Sequence, residues 1–202
     1  MIHTVIFDIG NVLMKFAWKP YIRELFDEET ARIVTKAIWK MGYWNEFDRG
    51  VLSEEEIRKA MVGCKPEYEK EIHMALDHVD RCMHKYDYAL PWVKELKDKG
   101  YRVLFLSNYS KFLQDAKPEV LEFLPYMDGG VFSCDVHIIK PDPAIYEKIC
   151  EKYDLKPEEC LFIDDNGDNV KAAQNFGMHS IRFQEYEMSY KEIMDYLSEN
   201  GK

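Results

Sequence analysis

The chain has 202 residues, 47% of them hydrophobic, and a formal net charge of −10 at pH 7. This length and apolar content predict one domain with a proper core and an insertion. The acidic balance argues against nucleic acid or an anionic membrane as partner, since both bind basic surfaces, and no apolar run approaches membrane-spanning length.

The first predicted element is a buried strand over residues 3–7 that ends on Asp8. The run is apolar and β-branched, and the breakers Gly10 and Asn11 come directly after it. Strands of doubly wound sheets carry their chemistry outside their C-terminal ends. An Asp at such a place is by itself more often a turn or cap residue than a nucleophile, so the interpretation of Asp8 depends on the side chains at the ends of the other strands.

Residues 16–86 are predicted to form a helical insertion without a good buried strand. Three stretches carry helix signals: an amphipathic stripe over 30–41, a capping box of Ser53 with Glu56, and a helical run over 67–84. We therefore assign residues 1–15 and 87–202 to a core domain and residues 16–86 to a helical cap domain.

The second half of the chain alternates strands and helices. Strands are predicted over 101–106, 130–134, 160–163 and 179–183, and helices over 88–99, 143–153 and 168–176. This alternation implies a parallel sheet covered by helices. We expect an α/β fold, a three-layer doubly wound (Rossmann-like) parallel sheet with an inserted small helical cap domain.

The cysteines indicate reduced thiols. Their number is odd and no two form a Cys-x-x-Cys pair: Cys64, Cys82, Cys134, Cys150 and Cys160. This pattern fits a reducing compartment better than a disulfide framework or a zinc site. A core strand begins at once, so we expect no signal peptide and a cytoplasmic location.

Reactive side chains lie just past the predicted strands: Asp8, Ser107, Lys140 and the pair Asp164 and Asp165. In one parallel sheet these strand ends converge on one crevice. A carboxylate there can attack phosphorus and form an acyl phosphate, while Lys140 and Ser107 hold the phosphoryl oxygens. Clustered carboxylates need a hard cation, and Mg²⁺ is the usual one beside phosphates.

Four segments in order resemble the motifs of the haloacid dehalogenase superfamily: residues 7–13, 106–108, 140–141 and 162–166. Each motif is weak alone, but the ordered set is specific and the resemblance covers nearly the whole chain. The insertion is similar to the superfamily's small helical (C1-type) cap. The run Asp-Ile-Gly-Asn-Val at 8–12 is similar to a branch that includes a bacterial glucose-1-phosphate phosphatase. The resemblance implies a Mg²⁺-dependent phosphomonoesterase acting through an aspartyl phosphate, with a sugar phosphate as leading substrate.

The resemblance also implies a role for each motif residue. Three side chains would be catalytic: Asp8, as the covalent nucleophile, together with Ser107 and Lys140. The Mg²⁺ site falls to four residues: Asp8, Gly10 through its carbonyl, Asp164 and Asp165. Substrate binding beside the nucleophile falls to three residues: Ile9, Gly10 and Asn108.

An aromatic cluster in the cap has two interpretations. Residues 41–49 are predicted to form the turn between cap helices, with Gly42 as a helix stop. In the family this turn faces the active site, so Tyr43, Trp44 and Arg49 would form a substrate-binding wall. The alternative is a packed cap core, since aromatic residues four apart meet on one helix face.

The chain departs from the family at Gly10. Most phosphatases of the superfamily carry a second Asp at this position, which protonates the leaving group and then activates water. Positioned acid–base catalysis is worth about 10²–10⁴ in rate. Either another group supplies the proton, or the leaving group needs little help, or the activity is weak. Among the histidines His137 is the best placed substitute, because it shares a loop with Lys140.

Two other functions stay open. A 2-haloacid dehalogenase uses the same Asp nucleophile and also lacks the second Asp. It needs no metal, however, so the acidic pair Asp164 and Asp165 argues against this function. A non-catalytic phosphometabolite-binding protein would explain Gly10, but it has no need of a nucleophile. We expect a small phosphorylated substrate, no nucleic acid or membrane partner, and a monomer or weak homodimer.

Overall fold

The computed structural model describes residues 1–201 and is built around a parallel sheet. Its strands and those of a small ribbon are Thr4–Phe7 (β1), Met14–Phe16 (β2), Met83–Lys85 (β3), Arg102–Ser107 (β4), Gly129–Phe132 (β5), Cys160–Asp164 (β6) and His179–Arg182 (β7). The large sheet has the order β5-β4-β1-β6-β7, with every neighbouring pair parallel. β1 is therefore central, and its four residues are buried.

The cap region contains five α-helices between β2 and β3: Trp18–Leu25 (α1), Glu28–Thr35 (α2), Tyr43–Arg49 (α3), Glu54–Cys64 (α4) and Glu69–Asp77 (α5). A π-helical turn, Lys36–Lys40, continues α2. The predicted capping box is confirmed, because Ser53 Oγ accepts from the Glu56 N–H and the Glu56 carboxylate accepts from the Ser53 N–H.

Six further helices belong to the described part of the core: Ala89–Asp98 (α6), Lys111–Ala116 (α7), Ser133–Val136 (α8), Pro143–Tyr153 (α9), Gly167–Phe176 (α10) and Tyr186–Asn200 (α11). Side chains of β1 alternate between two apolar clusters. Phe7 packs in the cluster that holds Trp92 of α6 and Leu197 of α11, whereas Ile6 packs in the cluster that holds Ile149 of α9. Helices thus cover both faces of the sheet, and the prediction of a three-layer α/β fold is confirmed.

Several predicted boundaries are wrong. The helix predicted over 30–41 ends at Thr35 and passes into the π-helical turn, and the run predicted over 67–84 ends at Asp77. The strand predicted over 130–134 ends at Phe132, where the one-turn helix α8 begins. The helix α11 was not predicted.

A two-stranded antiparallel ribbon at the base of the cap was also not predicted. β2 pairs with β3, with Met14 opposite Lys85 and Phe16 opposite Met83. Strands of three residues are too short to show a period in the sequence. The ribbon brings the two chain crossings between core and cap together, and the domain boundaries at 15/16 and 86/87 stay predictions.

The segment 41–49 is a helix rather than the predicted turn. Gly42 has a positive φ of 86° and ends the preceding helical turn as expected, but α3 begins at the next residue. Tyr43, Trp44 and Arg49 therefore lie on a helix. Within residues 1–201, no helix has the length and hydropathy that crossing a membrane requires.

Candidate active site

Three neighbouring strands deliver polar side chains to one edge of the sheet. Asp8 lies one residue past the central strand β1, and its N–H donates to the carbonyl of Ile163 on β6 at 2.8 Å. Ser107 ends β4 and Asp164 ends β6, the strands on either side. The predicted convergence of these residues at the C-terminal edge is observed.

Lys140 joins these strand ends. Its Nζ donates to Asp8 Oδ1 at 2.8 Å, to Asp164 Oδ2 at 2.6 Å and to the Leu106 carbonyl at 2.8 Å, so all three ammonium protons are used. Ser107 Oγ donates to the same Asp8 Oδ1 at 2.7 Å. Two donors therefore fix one oxygen of Asp8 and leave its Oδ2 available.

Burial and charge act against each other in this cluster. Burial raises the pKa of Asp8 to about 7, with Lys140 opposing that rise and Asp164 adding to it. Burial lowers the pKa of Lys140, but the carboxylates of Asp164 and Asp8 hold it above its ordinary value. Burial, followed by the charge of Asp164, also raises the pKa of Asp165. The ammonium stays charged, and the carboxylates still exceed it in number.

The carboxylates form a group that could hold a metal ion. Ligand oxygens of Asp8, Asp164 and Asp165 all lie within 4.8 Å of one another. Such an all-oxygen set beside an excess of negative charge fits Mg²⁺. The backbone hydrogen bonds of the turn after β1 do not use the carbonyl of Gly10: three N–H groups donate to the carbonyl of Ile9, and the Asn11 N–H donates to the carbonyl of Met14.

The other residues predicted near the nucleophile have structural contacts. The amide of Asn108 bonds both ways with the backbone of Lys140, accepting from its N–H at 2.8 Å and donating to its carbonyl at 3.0 Å. The Ile9 side chain is fully buried, so only its main chain can reach a substrate. The sequence suggests Asn169 as a cap of α10 or, alternatively, as support for the metal loop; its amide donates to both oxygens of Asp164 at 3.0 and 3.1 Å, whereas Asn166 caps α10. Substrate contacts by Asn108 and Ile9 stay predictions.

The cap residues predicted as a substrate wall pack within the cap. The Trp44 ring lies 5.4 to 5.7 Å from the rings of Trp39, Phe16 and Phe47. Tyr43 accepts a hydrogen bond from the Cys64 thiol at 3.5 Å, and Arg49 pairs with Glu46 at 3.5 Å. These contacts match the alternative of a packed cap core, and a role of the three residues in substrate binding stays a prediction.

Sequence reasoning missed Asp48. This carboxyl, on α3, is only 6% exposed, and its Oδ1 has no hydrogen-bond partner among residues 1–201. Burial, followed by the charge of Asp8, raises the pKa of Asp48 to about 7, with Lys140 opposing that rise. The available signal is its position four residues after Trp44 and directly after Phe47, which places a charged residue on a helix lined with aromatic side chains.

The end of α3 docks on the core helix α8. Ser133 Oγ donates to the carbonyl of Asp48 at 2.5 Å, and His137 Nδ1 lies 3.0 Å from the carbonyl of Arg49. His137 is exposed and contacts the cap backbone, and its role as a proton donor to the leaving group stays a prediction.

Sequence comparison places this site in a family. A model described as haloacid dehalogenase-like hydrolase matches residues 2–177. The chain belongs to the haloacid dehalogenase-like hydrolase family. Mouse acyl-CoA dehydrogenase family member 10 is 25% identical over 203 residues, covering 94% of this chain and 18% of the mouse protein. Pyrophosphatase PpaX of Bacillus cereus is 31% identical over 101 residues, covering 50% of this chain and 47% of PpaX. The chain thus spans less than half the length of these curated relatives.

Solved structures of the same fold include a complex with magnesium and phosphate and a dehalogenase. A HAD family enzyme from Bacteroides thetaiotaomicron, in complex with magnesium and inorganic phosphate, is similar with a TM-score of 0.72 and 20% identity, covering 91% of this chain and 95% of its own. L-2-haloacid dehalogenase from Xanthobacter autotrophicus, with chloropropionic acid covalently bound, is similar with a TM-score of 0.64 and 20% identity. The match covers 96% of this chain and 83% of the dehalogenase chain. At these identities the likeness shows the fold, and the C1-type cap and the glucose-1-phosphate branch stay predictions.

Proposed function

We propose that this protein is a Mg²⁺-dependent phosphomonoesterase that acts through an aspartyl phosphate on a small phosphorylated metabolite, with a sugar phosphate as leading substrate. The observation that carries the proposal is the asymmetry of Asp8. Ser107 and Lys140 both bind its Oδ1, whereas Oδ2 is free beside a cluster of carboxylates suited to a divalent cation. A nucleophile needs such a fixed orientation and a free oxygen.

The reaction is a double displacement at phosphorus. Asp8 Oδ2 attacks the phosphorus, the ester P–O bond breaks, and the leaving oxygen takes a proton. Water then attacks the acyl phosphate, losing a proton and releasing phosphate and the carboxylate of Asp8. Lys140 favours the ionised form of Asp8 before the attack and orients the side chain, because it donates to Asp8 Oδ1. Bound Mg²⁺, held by Asp8, Asp164, Asp165 and the Gly10 carbonyl, would supply the positive charge that the phosphoryl oxygens need.

The second candidate is dehalogenation of a short 2-haloacid. It is favoured by Gly10 and by the likeness to the Xanthobacter enzyme. The carboxylate cluster favours the phosphatase, because displacement of a halide needs no metal and gains nothing from Asp165. The names of PpaX and of the phosphate-bound Bacteroides structure also support phosphate chemistry.

The cellular setting is part of the proposal. All five cysteines are free thiols, which supports a reducing compartment, and we place the protein in the cytoplasm. A small phosphorylated substrate is the proposed partner. The expectations of a monomer or weak homodimer, and of no nucleic-acid or membrane partner, stay predictions.

Hydrolysis of p-nitrophenyl phosphate tests the proposal. Nitrophenolate leaves without needing a proton, so Gly10 does not mask the activity. We expect turnover with Mg²⁺, loss of turnover with excess chelator, and loss in Asp8→Asn. The matched control is Asp195→Asn on α11, an exposed carboxyl that should keep full activity. Chloride release from 2-chloropropionate in the presence of chelator would favour the dehalogenase, and inactivity on both substrates would favour the phosphometabolite-binding protein.

A further inference from the structure

We propose that Asp48, contributed by the cap helix α3, is the general acid and base of this site in place of the carboxyl that position 10 lacks. The inference rests on the proposed phosphatase function. A Cβ built on Gly10 would meet only Asp8 Oδ2, at 3.9 Å. Position 10 therefore faces the attacking oxygen, and the proton that a side chain there would supply has to come from another element.

Oδ1 of Asp48 is a buried polar atom without a hydrogen-bond partner in the described part of the chain, and Asp48 is more than nine-tenths buried. The same holds for the hydroxyl of Tyr109 and for Oδ1 of Asn169. Burial raises the pKa of Tyr109, and the charges of Cys82 and then Asp48 add to that rise. Buried polar atoms almost always have a hydrogen-bond partner, and exceptions call for a functional explanation. The leaving oxygen of a substrate supplies the missing partner of Asp48 Oδ1.

The backbone of α3 holds Asp48 at the edge of the sheet where Ser107 lies. Ser107 of β4 pairs with Phe132 of β5, so Ser133 is the first residue past that edge. The Ser133 hydroxyl donates to the carbonyl of Asp48 at 2.5 Å and accepts from the N–H of Tyr109 at 3.0 Å. The Ser133 hydroxyl therefore connects the backbone of Asp48 to the loop that follows Ser107.

Close packing secures the same junction. Gly50, which ends α3 with a φ of +65°, has no room for a side chain, since a Cβ there would lie 2.8 Å from Cβ of Cys134. The contact of His137 with the Arg49 carbonyl adds a second polar link. The end of α3 thus has a defined position on α8. A general acid needs such a fixed position, because it has to act at a set distance from the phosphorus.

The electrostatic environment of Asp48 suits an acid that becomes a base. Burial and the charge of Asp8 raise the pKa of Asp48 to about 7, against the opposing charge of Lys140, so both protonation states are populated near neutral pH. Besides these two charges, the phenol of Tyr109 interacts electrostatically with the carboxyl. Two cations of neighbouring helices are paired elsewhere: Arg58 of α4 with Glu54 and Asp77, and Lys111 of α7 with Asp115.

Each half-reaction then has a balanced proton transfer. In the first, the Asp48 carboxyl gives its proton to the leaving oxygen as the ester P–O bond breaks and the Asp8–phosphorus bond forms. In the second, the Asp48 carboxylate takes a proton from the attacking water as the acyl phosphate breaks. The cycle returns both side chains to their starting states.

Leaving-group dependence in Asp48→Asn tests the inference. We expect turnover of an alkyl phosphate such as glycerol 2-phosphate to fall by about 10²–10⁴. With p-nitrophenyl phosphate we expect a retained first-turnover burst of one nitrophenolate per enzyme, followed by a slow steady state, because only the second step still needs the base. The matched control is Asp135→Asn, an exposed carboxyl on α8 that should leave both substrates unaffected.

Moving the acid back to position 10 provides the rescue. The backbone of Gly10 is outside the positive-φ region and its Cβ position is open, so Gly10→Asp fits. In the Asp48→Asn background it should restore turnover of the alkyl phosphate at least tenfold. Failure of this rescue, or equal loss of the burst and of the steady state in Asp48→Asn, would indicate a structural role and overturn the inference.

The inference and the proposed function fail in different ways. Alkyl phosphate turnover that stops in Asp8→Asn but stays within threefold of wild type in Asp48→Asn overturns the inference alone. Absence of any phosphate release by folded wild-type protein with Mg²⁺, on either ester, overturns the proposed function and the inference with it.

Discussion

Replacing Lys140 by Met should strongly destabilise the fold when Mg²⁺ is absent. The Lys140 side chain is 1% exposed and neutralises two buried carboxylates, those of Asp8 and Asp164, at 2.8 and 2.6 Å. Met keeps most of the apolar stem and removes the charge. Removing one partner of a buried ion pair typically costs about 3–5 kcal/mol, because a charge is left uncompensated. For a chain of this size that corresponds to a melting temperature lower by about 6–20 °C.

Thermal unfolding at pH 8, with and without Mg²⁺, measures this effect. At that pH the carboxylates are ionised in the unfolded chain, so the folded variant either holds an uncompensated charge or takes up a proton, and both lower its stability. Mg²⁺ should raise the melting temperature of Lys140→Met more than that of wild type, because it binds the folded cluster that has lost its cation. The matched control is Lys111→Met, whose pair with Asp115 at 2.8 Å is exposed and screened by solvent, so its loss should leave the melting temperature nearly unchanged. Equal melting temperatures of the two variants would refute the reasoning.

Three further predictions concern the cap junction and the metal group. Gly50→Ala should lower the free energy of unfolding in urea by more than about 1 kcal/mol, because the φ of Gly50 is positive and a Cβ there would overlap Cys134. The control Gly63→Ala, inside α4, should raise the free energy of unfolding by about 0.5–1 kcal/mol. Equal effects of the two substitutions would contradict the close packing at Gly50. Because folded Asp48 keeps its proton up to about pH 7 and unfolded Asp loses it near 3.8, wild type should lose stability as pH rises between these values. Asp48→Asn should lack that loss and be more stable than wild type at pH 8 by up to about 4 kcal/mol. Urea unfolding of both proteins at several pH values from 4 to 8 measures this; the same change of unfolding free energy with pH in both would contradict the prediction. Asp165→Asn should raise the Mg²⁺ concentration for half-maximal activity about tenfold or more, and an unchanged Mg²⁺ titration would remove Asp165 from the metal site.

The sequence predicts the strand ends well because their signals are local. β1 and β6 are buried runs that end on acidic residues beside turn formers, so the register of the sheet places Asp8 next to Asp164. Lys140 is predicted from its place in the loop after a predicted strand and from its motif. The observed ammonium contacts between β1 and β6 then explain why that position requires a lysine.

The cap is predicted less well because its structure depends on contacts distant in sequence. Gly42 correctly marks a break, but the start of α3 directly after it has no local signal apart from that glycine. Asp48 looks like a solvated helix residue until Ser133, 85 positions further along the chain, fixes the end of α3 against the core. Burial produced by such docking changes the chemistry of a carboxyl and leaves no trace in hydrophobic periodicity.

Trapping the phosphoenzyme tests the central claim most directly. Wild-type protein would be mixed with p-nitrophenyl phosphate and Mg²⁺, quenched in acid within the first turnover, reduced with borohydride and mapped by peptide mass spectrometry. We expect one modified side chain, Asp8, converted to homoserine by reduction of its acyl phosphate. Unmodified Asp8 in a sample that has released stoichiometric nitrophenolate would contradict an aspartyl-phosphate mechanism.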